Sequence, residues 1–258
     1  MRDLPDPARR LNVLREYLQA CILRSLHESE ASVNLSFVGG TALRFLFNLP
    51  RFSEDLDFSL ERRDGYDPSR WMDKLGRDLS LAGFDLTLKR NDRKTVHLFW
   101  IRVAGILAES GLADRPEQKL SIKLEIDTQP PAGAVSLTEI VTRHIMFSVR
   151  HHDLPSLMAG KIHALCTRSY SKGRDWYDLL WYRTQRPPVE PNLIMLQNAL
   201  DQTEGVSAVD GSCWTRHLLQ RIGTLDTSRL ASEVRPFLER PADADLLAAR
   251  NFRSVLDE

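Results

Sequence analysis

The stretch from Phe37 to Leu60, FVGGTALRFLFNLPRFSEDLDFSL, decides the fold. Phe37 and Val38 read as the end of a short strand that runs into a Gly39-Gly40 turn, where the backbone can approach another group with no side chain in the way. Thr41 opens an apolar helical run, Ala42 to Phe47, which must stop before Pro50 because proline cannot continue a helix. A helix starting from such a turn presents unpaired backbone N–H groups, and these suit a phosphate. A polar loop leads to a second strand carrying Asp55 and Asp57. Side chains alternate along a strand, so the two carboxylates are predicted on one face while Leu56 and Phe58 enter the core. Carboxylates placed this way repel unless a cation lies between them, and Mg²⁺ is held by one or two carboxylates together with substrate phosphates. Either half alone is a weak signal. Together, at the spacing of strand, helix and returning strand, they combine an anion cradle with a metal clamp.

Outward from this stretch, Asp6-Pro7 is a helix start, with an N-cap followed by proline at the first helical position. Leu11, Leu14, Leu18, Cys21, Ile22 and Leu26 then fall on one stripe, which predicts a packing helix. Residues 61–68 read as a loop, Trp71 to Ala82 as a helix stopped by Gly83, and Phe84 to Leu88 and Val96 to Val103 as strands. Leu112 to Glu117 is turn-like, and a further strand is expected at about Ile145 to Val149. His151-His152-Asp153 is not expected to bind a metal, because adjacent side chains on an extended segment point in opposite directions.

Leu120 to Asp127 alternates cleanly, with Leu120, Ile122, Leu124 and Ile126 facing one way and Lys123, Glu125 and Asp127 the other. Such a strand is either a water-facing edge or a neighbour of the Asp55–Asp57 strand that adds a third carboxylate. The helix expected from Pro155 to about Arg168 carries Leu154, Leu157, Met158, Ile162 and Leu165 on one stripe, with Lys161 in its middle. A lysine centred on a buried face must be paired, must snorkel to the surface, or must face a polar ligand such as a triphosphate. Beyond Gly173, Arg174 to Tyr182 is apolar almost all round, with Asp175 and Asp178 one turn apart, and Lys161, Arg168, Lys172 and Arg174 are the cations on hand. From Val189 onward the pattern is helical and carries no chemistry.

Composition bounds the alternatives. A chain of 258 residues, 42% hydrophobic and 27% charged, has the make-up of an ordinary globular protein with one large or two modest domains. The formal net charge is zero, so no global field advertises nucleic acid, and any such surface must be local. Between Arg150 and Arg186 there are seven Lys or Arg against three Asp, a local excess suited to polyanions. Cys21, Cys166 and Cys213 are far apart and odd in number, as expected of buried thiols in a reducing compartment. No apolar run of about 18 residues and no signal-peptide pattern is present, so a cytoplasmic location with no membrane partner is expected.

Gly39-Gly40-Thr41-Ala42-Leu43-Arg44, followed by Arg51-Phe52-Ser53-Glu54-Asp55-Leu56-Asp57-Phe58, resembles the signature of the AbiEii/AbiGii-type nucleotidyltransferase toxins of the DNA polymerase β-like superfamily. Lys161-x-x-Ala164-Leu165 through Arg168, Lys172, Arg174-Asp175 and Tyr177-Asp178-Leu179 resembles their C-terminal motifs. The resemblance implies an α+β fold, in which a mixed sheet with flanking helices (residues 1–150) precedes a helical domain (151–258) that contributes Lys161 and Asp175. It implies a catalytic set of Asp55, Asp57, Glu125, Lys161 and Asp175, with Asp127 the rival of Glu125. It puts Mg²⁺ or Mn²⁺ on Asp55 and Asp57, and the NTP at Gly39, Gly40, Thr41, Arg44, Ser53 and Lys161. Asp178 is expected to hold Arg168 or Arg174. The implied activity is transfer of a nucleoside monophosphate from NTP to a hydroxyl, with a tRNA 3′ end as the acceptor, by a toxin with a cognate antitoxin. Two alternatives share these residues: an NTP-binding protein without turnover, and an enzyme that nucleotidylates protein hydroxyls.

Overall fold

The computed structural model describes residues 6–115, 117–205 and 209–256; Pro116, within the turn expected at Leu112 to Glu117, lies outside them. The chain forms two compact units whose segments interleave in sequence. The first takes Met1–Asn48, Phe52–Pro130 and Ser136–His151, and the second takes Leu49–Arg51, Pro131–Val135 and His152–Glu258.

The first unit is built on a seven-stranded sheet. Its elements in chain order are α1 (Pro7–Glu28), β1 (Leu35–Val38), α2 (Gly39–Leu46), β2 (Leu56–Leu60), α3 (Pro68–Leu81), β3 (Leu86–Asn91), β4 (Val96–Val103), α4 (Ile106–Glu109), β5 (Leu120–Asp127), β6 (Ser136–Val141) and β7 (Phe147–His152). The strand order is β3-β4-β5-β2-β1-β7-β6. β1 is antiparallel to β2, while β2 with β5 and β1 with β7 are parallel, so the sheet is mixed. The alternation of β2 and β5 meets in register: Leu56 stands beside Leu124 and Phe58 beside Ile126, all buried, while Asp57 stands beside Glu125 on the opposite face. Phe37 pairs with Phe58 across β1 and β2, with ring centroids 5.3 Å apart. Burying each of these rings stabilises the sheet by about 1.5–3 kcal/mol.

Asp6 caps α1 by accepting from the Ala8 N–H at 3.0 Å, and Leu14, Leu18, Ile22 and Leu26 form its buried stripe. Two expectations shift. The helix expected from Thr41 begins at Gly39, because Val38 is extended and the strand feeds the helix directly. Asp55 lies one residue ahead of β2, where the Thr41 hydroxyl donates to its backbone carbonyl. Two elements were not anticipated from the sequence, the short α4 and the strand β6. β6 is exposed along most of its length and lies at the sheet edge, so no buried alternation marks it.

The second unit is helical: α5 (Leu154–Thr167), α6 (Gly173–Arg183), α7 (Leu193–Glu204), α8 (Trp214–Ile222), α9 (Thr227–Val234) and α10 (Ala249–Leu256). Asp153 caps α5 by accepting from the Ser156 N–H, and Pro155 occupies its first turn. Gly173 opens α6 against α9, where a β-carbon would stand 2.2 Å from the Leu230 carbonyl oxygen; only glycine allows that approach. The strap Leu49–Arg51 joins this unit through a bridge between Arg51 and Leu238 and a hydrogen bond from the Glu239 N–H to the Pro50 carbonyl. Among the described residues no helix is long and apolar enough to cross a membrane.

Candidate active site

In the first unit, β2 and β5 bring three of the expected acids together. The parallel register puts Glu125 beside Asp57, whereas Asp127 stands beside Ser59 and its carboxylate accepts from the Gln129 N–H at 2.9 Å. Asp55 reaches the same face from the residue preceding β2. The Lys123 ammonium lies 3.3 Å from both Asp55 and Glu125. Burial disfavours that charge, but the two carboxylates outweigh the effect and raise the Lys123 pKa, so the side chain stays protonated.

Gly39 abuts the cluster. Its φ is +77°, and a β-carbon there would lie 2.3 Å from the Asp57 carboxylate oxygen Oδ2. The glycine is therefore required twice, for its backbone conformation and for the room it leaves to Asp57. Gly39→Ala is expected to cost about 1–2 kcal/mol from the backbone alone and to displace Asp57; a urea melt checks the first part. An unchanged midpoint would show that α2 tolerates another start.

Other residues expected at the nucleotide have partners of their own. Thr41 is fully buried with its hydroxyl on the Asp55 carbonyl, so it fixes the approach to β2. The Ser53 carbonyl accepts from Gln19 of α1 at 3.1 Å. The Arg44 guanidinium, expected on phosphate, is buried: it bonds Glu16 at 2.6 Å and lies 4.5 Å from the centre of the Phe52 ring. His144 joins the same Glu16 carboxylate at 2.8 Å. Burial would raise the Glu16 pKa, but Arg44 and its neighbours outweigh this and lower it. Arg44 thus anchors α2 to α1.

In the second unit, Lys161 does not snorkel. Its side chain is 15% exposed, and its ammonium lies 2.9 Å from Asp175 and 3.0 Å from Asp178. Arg168 pairs with the other oxygen of Asp175. The expectation for Asp178 needs correcting. It is fully buried, and its main partner is Arg51, 2% exposed, which grips both its oxygens at 2.7 and 2.6 Å. A planar guanidinium satisfies a buried carboxylate in this two-pronged way, and the strap brings it there. Arg174 lies over the Phe237 ring and Lys172 over that of Tyr170. Three cations, Lys161, Arg51 and Arg168, thus face two carboxylates, leaving a net positive cluster.

Burial alone would raise the Asp175 pKa, but Lys161 and Arg168 hold it down to about 2. The ordinary value is 3.8, so the unfolded chain binds the proton more readily. The stabilisation is present above the unfolded value and is lost as pH falls through the folded one. Melting temperature should therefore decline between about pH 4 and pH 2, and Asp175→Asn should flatten that decline, as thermal melts across the range would show.

The donor set suits a hard cation. Asp55, Asp57 and Glu125 are partly exposed and offer oxygen only. Among the described residues, no group of three or more His, Cys, Asp or Glu is placed to hold a metal ion by itself. A metal here would rely on two carboxylates completed by substrate phosphates, which is how Mg²⁺ is bound. His151 and His152 are buried, and the three cysteines are free and partly buried.

The mixed sheet with its flanking helices has a nucleotidyltransferase-like fold. JHP933 from Helicobacter pylori is similar over 95% of this chain and 92% of its own, with 17% identity and a TM-score of 0.54. A second H. pylori structure, provisionally assigned as a nucleotidyltransferase, is similar over 92% of this chain and 93% of its own, with 19% identity and a TM-score of 0.52. Residues 21–256 match the family described as nucleotidyl transferase AbiEii toxin, type IV toxin–antitoxin system. The chain belongs to that family and is a nucleotidyltransferase. The family points to an NTP substrate and an antitoxin counterpart. No curated protein matches the chain.

Proposed function

We propose that this toxin transfers a nucleoside monophosphate from a Mg²⁺-bound NTP to a hydroxyl, with the 3′ end of a tRNA as the acceptor. The observation that carries the reading is the pairing of Asp57 with Glu125, with the glycine backbone of α2 packed against Asp57. In this reading Asp55 and Asp57 hold the metal, and Glu125 orients or deprotonates the attacking hydroxyl. The α2 N-terminus, which has no side-chain cap from Val38, receives phosphate oxygens. When bound, Mg²⁺ stabilises charge on the phosphates and the leaving pyrophosphate. The new bond joins the acceptor oxygen to the α-phosphorus as the bond to the pyrophosphate oxygen breaks.

Lys161 is proposed as a phosphate-binding cation, which the excess positive charge of its cluster supports. Asp175 holds Lys161 in place. The tRNA acceptor is supported by the local cation excess between Arg150 and Arg186.

The test is label transfer. Purified protein is incubated with each α-labelled NTP, Mg²⁺ and bacterial RNA or lysate. Label on a tRNA-sized band is the expected result, and it shows the base preference at once. Label on a protein band would move the acceptor to a protein hydroxyl. Bound NTP with no label anywhere would replace turnover with binding alone.

A further inference from the structure

Lys123 sits where a cation is wanted. It follows Ile122 on β5 and, by alternation, shares a face with Glu125. Leu56 stands beside Leu124, so Asp55, one residue earlier, stands beside Lys123. The ammonium is 3.3 Å from an oxygen of each of two carboxylates that the reading above assigns to the acid cluster. A divalent ion drawn to the same oxygens would meet this charge at close range, and like charges that close repel strongly. The side chain has four flexible carbons and is partly exposed, so the ammonium is free to turn away once another anion offers itself.

We propose that Lys123 is the resident counter-ion of the acid cluster. It holds Asp55 and Glu125 together in the absence of metal and weakens binding of a bare divalent cation. When metal and polyphosphate enter together, the ammonium leaves the carboxylates for a phosphate oxygen. The site therefore loads its metal with the nucleotide rather than ahead of it. This inference rests on the metal-clamp reading of Asp55 and Asp57.

Mn²⁺ binding tests it without any turnover. Free Mn²⁺ is followed by its paramagnetic resonance signal in titrations of the wild type, Lys123→Met, Lys123→Gln, Asp57→Asn and the Lys123→Met/Asp57→Asn double variant. Circular dichroism melts confirm that each is folded, and Lys123→Gln, which keeps a polar side chain, serves if the Met variant is not. Removing the ammonium should tighten binding of Mn²⁺ alone by roughly tenfold. With inorganic tripolyphosphate as the anion, the order should reverse, the complex binding the wild type more tightly than Lys123→Met or Lys123→Gln. Unchanged or weaker Mn²⁺ binding in both Lys123 variants overturns the inference. In that outcome the clamp still stands if Asp57→Asn lowers Mn²⁺ affinity. Equal Mn²⁺ affinity in Lys123→Met with and without Asp57→Asn overturns the clamp, and the inference with it.

Discussion

Asp57→Asn should abolish nucleotide transfer while leaving the protein folded. Asparagine matches the shape that the Gly39 backbone packs against, so the local geometry is retained. What is lost is one negative charge on the face of β2 proposed to hold the metal. A metal ion contributes several kcal/mol to such a transition state, and each 1.36 kcal/mol is a factor of ten, so a loss of roughly a thousandfold or more is expected. Partly exposed polar positions outside the core change stability by little, within about 1 kcal/mol. Label transfer with a urea melt on the same preparation separates the two effects. A variant that keeps its activity would remove Asp57 from the chemistry. One that loses cooperative melting would mark it as structural.

The second large effect is on stability. Asp178→Ala removes a fully buried carboxylate and leaves Arg51, 2% exposed, without its two-pronged partner. Breaking a buried pair from one side costs about 3–5 kcal/mol, because the remaining charge is stranded away from water. Replacing both, as Arg51→Met with Asp178→Leu, should cost less than Asp178→Ala, since no charge is then left uncompensated there and Lys161 keeps Asp175. Chemical denaturation followed by tryptophan fluorescence suits the comparison, because Trp176, Trp181 and Trp214 all belong to the second unit. A double variant as unstable as Asp178→Ala would show that the pair contributes more than it costs to bury.

How far these features could be read beforehand follows from what sets each one. β4 and β5 have the predicted limits, because a β-rich run and a clean alternation are each local properties of eight consecutive residues. Alternation likewise marked Asp57 and the charged face of β5, while the choice of Glu125 over Asp127 came from the resemblance. The partner of Lys123 was not. Its place on the polar face is local, but what it touches depends on the parallel register of β2 and β5, which neither strand encodes alone. The setting of Arg44 was hidden too: it stands beside a glycine turn, while the carboxylate it meets is Glu16 on α1, 28 positions away. Arg51 stands in the motif that carries the resemblance, but nothing there marked it for a buried ion pair. It follows a proline in a short irregular segment, and its partner lies 127 positions downstream.

That separation has a temporal side. A chain is made from its N-terminus, so Arg51 is synthesised long before the aspartate it requires. At about 5–20 residues per second, the 127 residues from Phe52 to Asp178 take roughly 6–25 s to add. Throughout that interval the strap holds an arginine whose buried seat does not yet exist, and the helical unit cannot close around it. Completion of this toxin's interior is thereby deferred until at least two-thirds of the chain has been translated.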